Sequence, residues 1–389
     1  MKALIKVGYR CNQSCLFCHR LESRRVEGDR AEVEARIDRA ARLGHSMVVL
    51  SGGEATLRPE LLEWAARTAA RGMDFGLVTN GSLLDGATLD RLMRHRLGYV
   101  HLSLHGGTAE VHDGLVRART FDRVLAALRA LTGRGLEVWV NCVVARPNMD
   151  RLREVAETVD RFPGASLKFS MVEPRGGAAG AFDELVPRVT DAAARVRDAV
   201  EAALASGRPR GAVAHDGLPL CHLPGLEDLR GDLRAHGFWT MAEVGEPDLF
   251  PVDDLNAVHP PRCHPCTLRG RCPGLFTGYH AAHGDGELIP VTDRARSNSY
   301  NYVYERRLPA PEPGDGCPVL ALGVAPWDRG RHLFVQNGQR LARFRAETRD
   351  FCDAEVADVK HRTGQVYLDA STLAAPDDFA RQLVKLRRS

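Results

Sequence analysis

Strand-like apolar runs alternate six times with amphipathic helical stretches between residues 1 and 206. That alternation predicts an α/β fold with a parallel sheet and helical crossovers. Six units are too few to close an eight-stranded barrel, so the expected form is an open (β/α)6 partial TIM barrel. A third observation agrees: a cysteine-rich loop falls just after the first strand, at the strand end where such sheets gather ligands.

The strands are expected at Ala3–Gly8, Met47–Ser51, Asp74–Thr79, Tyr99–Leu104, Leu136–Ala145 and Ser166–Val172. Helices are expected near Glu32–Leu43, Glu60–Arg71, Asp85–Arg94, Phe121–Thr132, Met149–Phe162 and Pro187–Ser206. Pro59 suits the opening of the second helix, and Ser206-Gly207-Arg208-Pro209 supplies the breakers that end the last. From 207 to 291 the chain turns to Pro, Gly and His with little periodicity, a second region that is rich in cysteine. From about Thr292, Ser297–Tyr302 and Pro309–Pro318 read as loop and linker. A small α+β module follows, with strands His332–Gln336 and Gln339–Arg345 around the turn Asn337-Gly338, a strand at Gln365–Leu368 and a helix at Pro376–Leu386.

Composition narrows the function classes. In 389 residues a net charge of +3 is too small to argue nucleic-acid binding. No apolar run approaches the roughly 20 residues of a membrane span. The start, Met1-Lys2-Ala3-Leu4-Ile5-Lys6, lacks a signal-peptide pattern. Ten cysteines in such a chain argue for the cytoplasm, with reduced thiols and metal ligation in place of disulfides.

Cys11, Cys15 and Cys18 form a C-x3-C-x2-C array, with Phe17 just before the last. Clustered thiolates suit an iron–sulfur cluster or zinc. A structural zinc site or a closed cubane wants four ligands, so three cysteines on a four-iron cluster leave one iron open. Ser51-Gly52-Gly53-Glu54 follows the second strand, where two glycines permit close backbone approach and the acid suits an ammonium. Thr79-Asn80-Gly81 follows the third. After the fourth come Ser103-Leu104-His105-Gly106, then His112-Asp113, Arg117 and Arg119.

These motifs together resemble the radical S-adenosylmethionine (SAM) superfamily. The resemblance implies a [4Fe-4S] cluster on Cys11, Cys15 and Cys18, with SAM chelating the open iron. Phe17, Gly52, Gly53, Glu54, Asn80, Ser103, Arg119 and Asn141 are then the cofactor-binding candidates. Arg119 is preferred to Arg117 because it directly precedes Thr120-Phe121, and His105 stands where relatives carry an acid. Asn141 reads equally well as a satisfied core amide, and Cys142 as a small buried hydrophobe. Lys168, on one side of the sixth strand with Ser170, is the acid–base candidate; pairing with a carboxylate is the plainer reading. Glu173-Pro174-Arg175-Gly176 matches a loop that touches adenine in relatives.

Cys221 and the later C-x2-C-x5-C group Cys263, Cys266 and Cys272 make a second, four-cysteine set. This part resembles the SPASM/twitch extensions that carry auxiliary clusters. Its missing further cysteine implies one auxiliary [4Fe-4S] cluster, with zinc as the rival. Cys317 and Cys352 read as structural. The activity implied is reductive SAM cleavage to a 5′-deoxyadenosyl radical and hydrogen abstraction from a substrate. Family members with such extensions most often oxidise or crosslink a ribosomally made peptide, although the expected barrel starts almost at Met1 and leaves no added N-terminal recognition segment. Oxidation or rearrangement of a sugar or nucleoside is the alternative, and a metal-binding scaffold without activity the third. A reductant such as flavodoxin or ferredoxin is the implied protein partner.

Overall fold

The computed structural model describes residues 1–292, apart from Arg234, Pro247, 253–255 and 270–271, together with the backbone of three short strands between 319 and 345. Eight parallel strands form one sheet: β1 (Lys2–Lys6), β2 (Met47–Ser51), β3 (Asp74–Thr79), β4 (Leu97–Ser103), β5 (Glu137–Val144), β6 (Ala165–Met171), β7 (Val213–Asp216) and β8 (Phe238–Ala242). They lie in the order β7-β6-β5-β4-β3-β2-β1-β8, and β9 (Phe250–Pro251) adds an antiparallel edge to β8. The six expected strands are therefore present within two residues at each end. The 207–291 region contributes two more, so the sheet does not stop with the sixth unit.

The main crossover helices are α1 (Arg30–Arg42), α2 (Leu61–Ala70), α3 (Gly86–Met93), α4 (Ala109–Val116), α5 (Phe121–Thr132), α6 (Leu152–Asp160) and α7 (Val189–Ala205). Side-chain caps fix two starts: Asp29 accepts from the amides of Ala31 and Glu32, and Asp85 from that of Thr88. Only α4 was not legible, because Gly114 and His112 interrupt its apolar positions. β7 is four residues long, and β8 is embedded among Gly and Pro, so neither carries a strand pattern.

Alternation along each strand builds two cores. In β5, Val138, Val140, Cys142 and Val144 pack toward the helices with Ile5, Leu50, Leu77 and Phe169. On the concave side Leu4, Met47, Val49, Tyr99, Phe238 and Val252 form an apolar floor, with Trp139 against it. Above that floor, toward the C-terminal strand ends, the inner face turns polar. Register aligns Ser103 with Asn141 and Asn141 with Lys168, then Ser170 with Asp216.

The second region is tied to the barrel. Here α8 (Thr277–His283) follows a small antiparallel pair, β10 (Ala257–Val258) and β11 (Leu275–Phe276). The Tyr279 hydroxyl accepts from the Val189 amide and donates to Glu287. Glu287 also accepts from the Thr190 amide and pairs with Arg188 at 2.8 Å, an acid placed at the N-terminus of α7 where the helix dipole favours it. Strands β12 (Val319–Val324), β13 (His332–Asn337) and β14 (Arg340–Arg345) form an antiparallel sheet. The two strands expected at His332–Gln336 and Gln339–Arg345 are present within one residue, Asn337 pairs with Arg340 at the end of β13, and Gly338 lies outside the described residues. The expectations for Ser297–Tyr302, Pro309–Pro318, Cys317, Cys352, Gln365–Leu368 and Pro376–Leu386 lie outside the described residues. No described helix is long and apolar enough to cross a membrane.

Candidate active site and second cysteine centre

The loop from Val7 to Gly28 carries Cys11, Cys15 and Cys18 at the C-terminal mouth of the barrel. Two glycine pairs grip it. A Cβ on Gly53 would stand 2.3 Å from the Arg10 carbonyl oxygen and 2.4 Å from that of Tyr9; one on Gly52 would stand 2.0 Å from the Gly8 oxygen. The Gly53 and Glu54 amides donate to the Gly8 and Arg10 carbonyls, each at 2.8 Å. On the far side, a Cβ on Gly177 would lie 2.2 Å from the Leu16 oxygen and one on Gly176 2.6 Å from that of Cys18. The Gly177 amide donates to Cys18 at 3.0 Å. The backbone that these glycines admit is thus first of all the cysteine loop's own.

Glu54 is buried, with its carboxylate full. Oε1 accepts from the Thr56 amide, the Thr56 hydroxyl and the Thr79 hydroxyl, and Oε2 from the Asn80 amide. It stitches the end of β2 to that of β3. Asn80 then reaches the loop: its Nδ2 donates to Asn12 Oδ1 at 2.8 Å and lies 3.8 Å from Cys11 Sγ. The structure brings Cys11, Asn80, Glu54 and both glycines into one contiguous set.

A second chain of hydrogen bonds supports the loop from below. Gln13 Nε2 donates to Thr120 Oγ1 at 2.9 Å, and the same oxygen lies 3.3 Å from His112 Nε2. His112 Nδ1 accepts from the His105 amide, and His105 Nδ1 accepts from that of Val143. Both Nδ1 atoms are acceptors, so each ring carries its proton on Nε2 when neutral. Burial pushes His105 down to about 3 and His112 to about 4. His105, at the position where relatives place an acid, is therefore neutral at pH 7 and packs against the edge of Phe17 at 4.9 Å.

Of the remaining candidates, Ser103 and Asn141 sit side by side on the inner face, and the Ser170 hydroxyl donates to Asn141 Oδ1 at 2.7 Å. Lys168 is buried and pairs with Asp216 at 3.2 Å, the plainer of its two expected readings. Arg119 is exposed between α4 and α5, directly before Thr120, which the cysteine loop contacts through Gln13. Cys142 is fully buried, as a small hydrophobe would be. The sequence reading missed Gln13, the support that Thr120 and His112 give the loop, and the grip of Gly176-Gly177 on it. The last pair had a signal, since it repeats after β6 the double glycine that follows β2.

The triplet fits a cluster. Burial raises the Cys11 and Cys15 thiols, Cys15 to about 12, and neighbouring thiolates push both the same way. A metal centre would relieve that cost, since thiolates are the ligating form. Arg24 lies close enough to act on both thiols, and its buried Nε and Nη2 have no acceptor. Its Nη1 donates to Ser14 Oγ at 2.9 Å, and a guanidinium with donors to spare beside these thiols suits an anionic centre.

The second set is also assembled. Cys221, Cys263, Cys266 and Cys272 line one cavity with Pro219, His259 and Leu288. Backbone amides point at the sulfurs: those of Leu220 and Gly274 at Cys272 (3.3 and 3.4 Å), and that of Val291 at Cys266 (3.4 Å). Amide bonds of this kind tune iron–sulfur ligands. Burial raises Cys272 to about 12 and Cys263 to about 11, with Cys266 and Cys221 adding to the latter. The four donors suit a cubane, whose ligands stand wider apart than those of one ion; among the described residues no three such side chains are drawn together as a single zinc ion would need.

Residues 5–159 match the sequence family described as the Radical SAM superfamily. These residues form a radical SAM domain. Among curated proteins the radical SAM domain is similar to mycofactocin maturase MftC of Mycobacterium ulcerans, 31% identical over 182 residues, 46% of this chain and 49% of the relative. It is also similar to the PqqA peptide cyclase of Ruegeria pomeroyi, 31% identical over 222 residues, 56% of this chain and 58% of the relative. The chain thus spans about half the length of the curated relatives it matches. In fold it resembles the crystal structure of Streptococcus suis SuiB bound to S-adenosylmethionine, with TM-score 0.50, 17% identity, and 66% of this chain and 61% of that one covered.

Proposed function

We propose that the protein is a radical SAM enzyme that oxidises or crosslinks a ribosomally made peptide in the cytoplasm, drawing electrons from a flavodoxin or ferredoxin. The observation that carries this reading is the cysteine triplet gripped between Gly52-Gly53 and Gly176-Gly177 at the mouth of a partial barrel with a polar inner wall. Kinship with a maturase and a peptide cyclase supports the peptide substrate.

Cys11, Cys15 and Cys18 would hold a [4Fe-4S] cluster. Gly52, Gly53, Glu54, Asn80, Ser103, Arg119 and Asn141 are the candidates for holding SAM, and Phe17 for shielding it. When bound, the pair supplies a 5′-deoxyadenosyl radical that takes a hydrogen atom from an unactivated carbon. The protein's part is to hold the loop, exclude water and orient the substrate. His105 keeps its Nδ1 lone pair on the β5 backbone and so serves as a neutral wall beside Phe17. Lys168, neutralised by Asp216, acts as a substrate-orienting residue on the inner wall. Cys221, Cys263, Cys266 and Cys272 would hold an auxiliary [4Fe-4S] cluster.

Anaerobic iron and sulfide content after reconstitution tests this reading, alongside an assay for reductive SAM cleavage. The expected result is about eight irons in the wild type and about four in a Cys11/Cys15/Cys18→Ala variant, with 5′-deoxyadenosine formed by the wild type alone. About four irons plus zinc would replace the auxiliary cluster by zinc. A fully loaded protein that cleaves no SAM would overturn the enzyme reading.

A further inference from the structure

The groups that flank the cysteine loop on the inner side of β1 and β8 form a cluster that the proposed chemistry leaves unused. Glu243, just past β8, is held from both ends of the loop. It accepts from the Tyr9 hydroxyl and pairs with Arg20 at 2.7 Å, and the Arg20 guanidinium lies 4.7 Å from the centre of the Tyr9 ring. That carboxylate is therefore taken. Two cationic groups beside it still have donors to spare. Lys6, at the end of β1, has three N–H donors; it donates to Ser51 Oγ at 3.2 Å and has no carboxylate within ion-pair distance among the described residues. Arg20 Nε is buried and has no acceptor. Burial lowers the Lys6 ammonium, Glu243, its neighbour just past the β1–β8 register, opposes that, and Arg20 adds a smaller lowering, so one carboxylate faces two cations.

A buried surplus of positive charge costs stability unless a partner meets it. The cysteine centre has a cation of its own, since Arg24 is the positive charge that acts on the Cys11 and Cys15 thiols. We propose that Lys6 and Arg20 form an anion-binding site at the barrel mouth that anchors a carboxylate of the substrate beside the radical centre. A lysine and an arginine that share Glu243 as a neighbour suit a further carboxylate, the lysine as a point charge and the guanidinium edge as a directional donor. On a peptide that group is either an acidic side chain or the C-terminal carboxylate. The inference rests on the peptide-modifying reading and narrows its substrate to carboxylate-bearing peptides.

The test uses the full reconstituted chain with SAM and fluorescein-labelled octapeptides of Gly, Ser and Tyr, followed by anisotropy. Four probes carry Asp or Asn at one position, each with a free or an amidated C-terminus. At least one carboxylate-bearing probe is expected to bind about tenfold more tightly than the Asn-amide probe. Preference for the Asp-amide probe assigns the side chain as the source, and preference for the Asn-acid probe the terminus. Lys6→Met should erase the preference and Lys6→Arg should retain it. Equal binding of all four probes, or binding of none, overturns the site, and so does a preference that survives Lys6→Met in a protein with full iron content. If Lys6→Met does not load iron, Arg20→Lys stands in for it, and the wild-type comparison holds without either. SAM cleavage is read in the same samples. Cleavage without carboxylate preference overturns the anion site alone; preference without cleavage overturns the enzyme reading and leaves the site standing.

Discussion

The two cysteine centres are held by different means. In the set Cys221, Cys263, Cys266 and Cys272, main-chain amides donate to the sulfurs of Cys272 and Cys266, and the packing is apolar, with Leu220, Leu268 and Val291. Around Cys11, Cys15 and Cys18 the holding is done by backbone pressed on glycine and by a web of polar side chains: Glu54, Asn80, Asn12, Gln13, Thr120 and His112. Four thiolates complete a metal's needs, so the second centre requires only amide donors and a dry shell. Three thiolates leave a face for another molecule, and the loop that presents them must be rigid without being closed. The polar web supplies that rigidity.

The sharpest way to break this contrast is Gly53→Ala. Its methyl would sit inside contact distance of two carbonyl oxygens, those of Arg10 and Tyr9, and neither belongs to a flexible side chain. The loop must move, so the variant should lose about half of its iron and SAM cleavage should fall about 100-fold or more. The second centre should keep its metal, and far-ultraviolet circular dichroism should be unchanged. Equal loss from both centres would mean that they are not independently held.

Glu54→Gln should have a smaller effect. The carboxylate meets donors on every side, two of them backbone amides. An amide of the same shape turns an NH2 group toward at least one of them. Hydrogen bonds to charged groups contribute about 1.5–3 kcal/mol, and a loss of that order is expected in urea unfolding of the metal-free protein. Because Glu54 also joins β2 to β3, the loss should appear without cofactor. A drop only in the presence of SAM would instead make ligand binding the main role of this acid.

How much of this was legible in sequence depends on the range of the interaction. The six strands and most crossover helices were readable because hydrophobic period is local. The Cys11-Cys15-Cys18 and Gly52-Gly53-Glu54 motifs were readable because their chemistry is tied to short spacings. What Gly52 and Gly53 touch was not readable: their partners are Gly8, Tyr9 and Arg10, some forty residues earlier. The same holds for Lys168, whose partner Asp216 lies on β7, a strand of four residues with no pattern. Glu243 went unnoticed because nothing near it in sequence marks it; its meaning comes from Tyr9 and Arg20, brought to it by the pairing of β8 with β1.

The smallest effect comes from the same substitution at another glycine. Gly114 lies inside α4, exposed, with nothing within 4 Å of where a Cβ would stand. Glycine within a helix costs roughly 0.5–1 kcal/mol relative to alanine, so Gly114→Ala should raise stability by about that amount in urea unfolding. The end of this helix receives the cysteine loop, since the Ser14 and Leu16 amides donate to the Val116 and Leu115 carbonyls, each at 2.9 Å. A stiffer α4 should therefore leave iron content intact and slow cluster loss to a chelator slightly. If Gly114→Ala gains stability while Gly53→Ala empties the triplet, a glycine's importance here is set by what presses on it. If both variants lose iron, α4 must yield for the loop to take up its cluster, and the rigidity assigned to this centre would be misplaced.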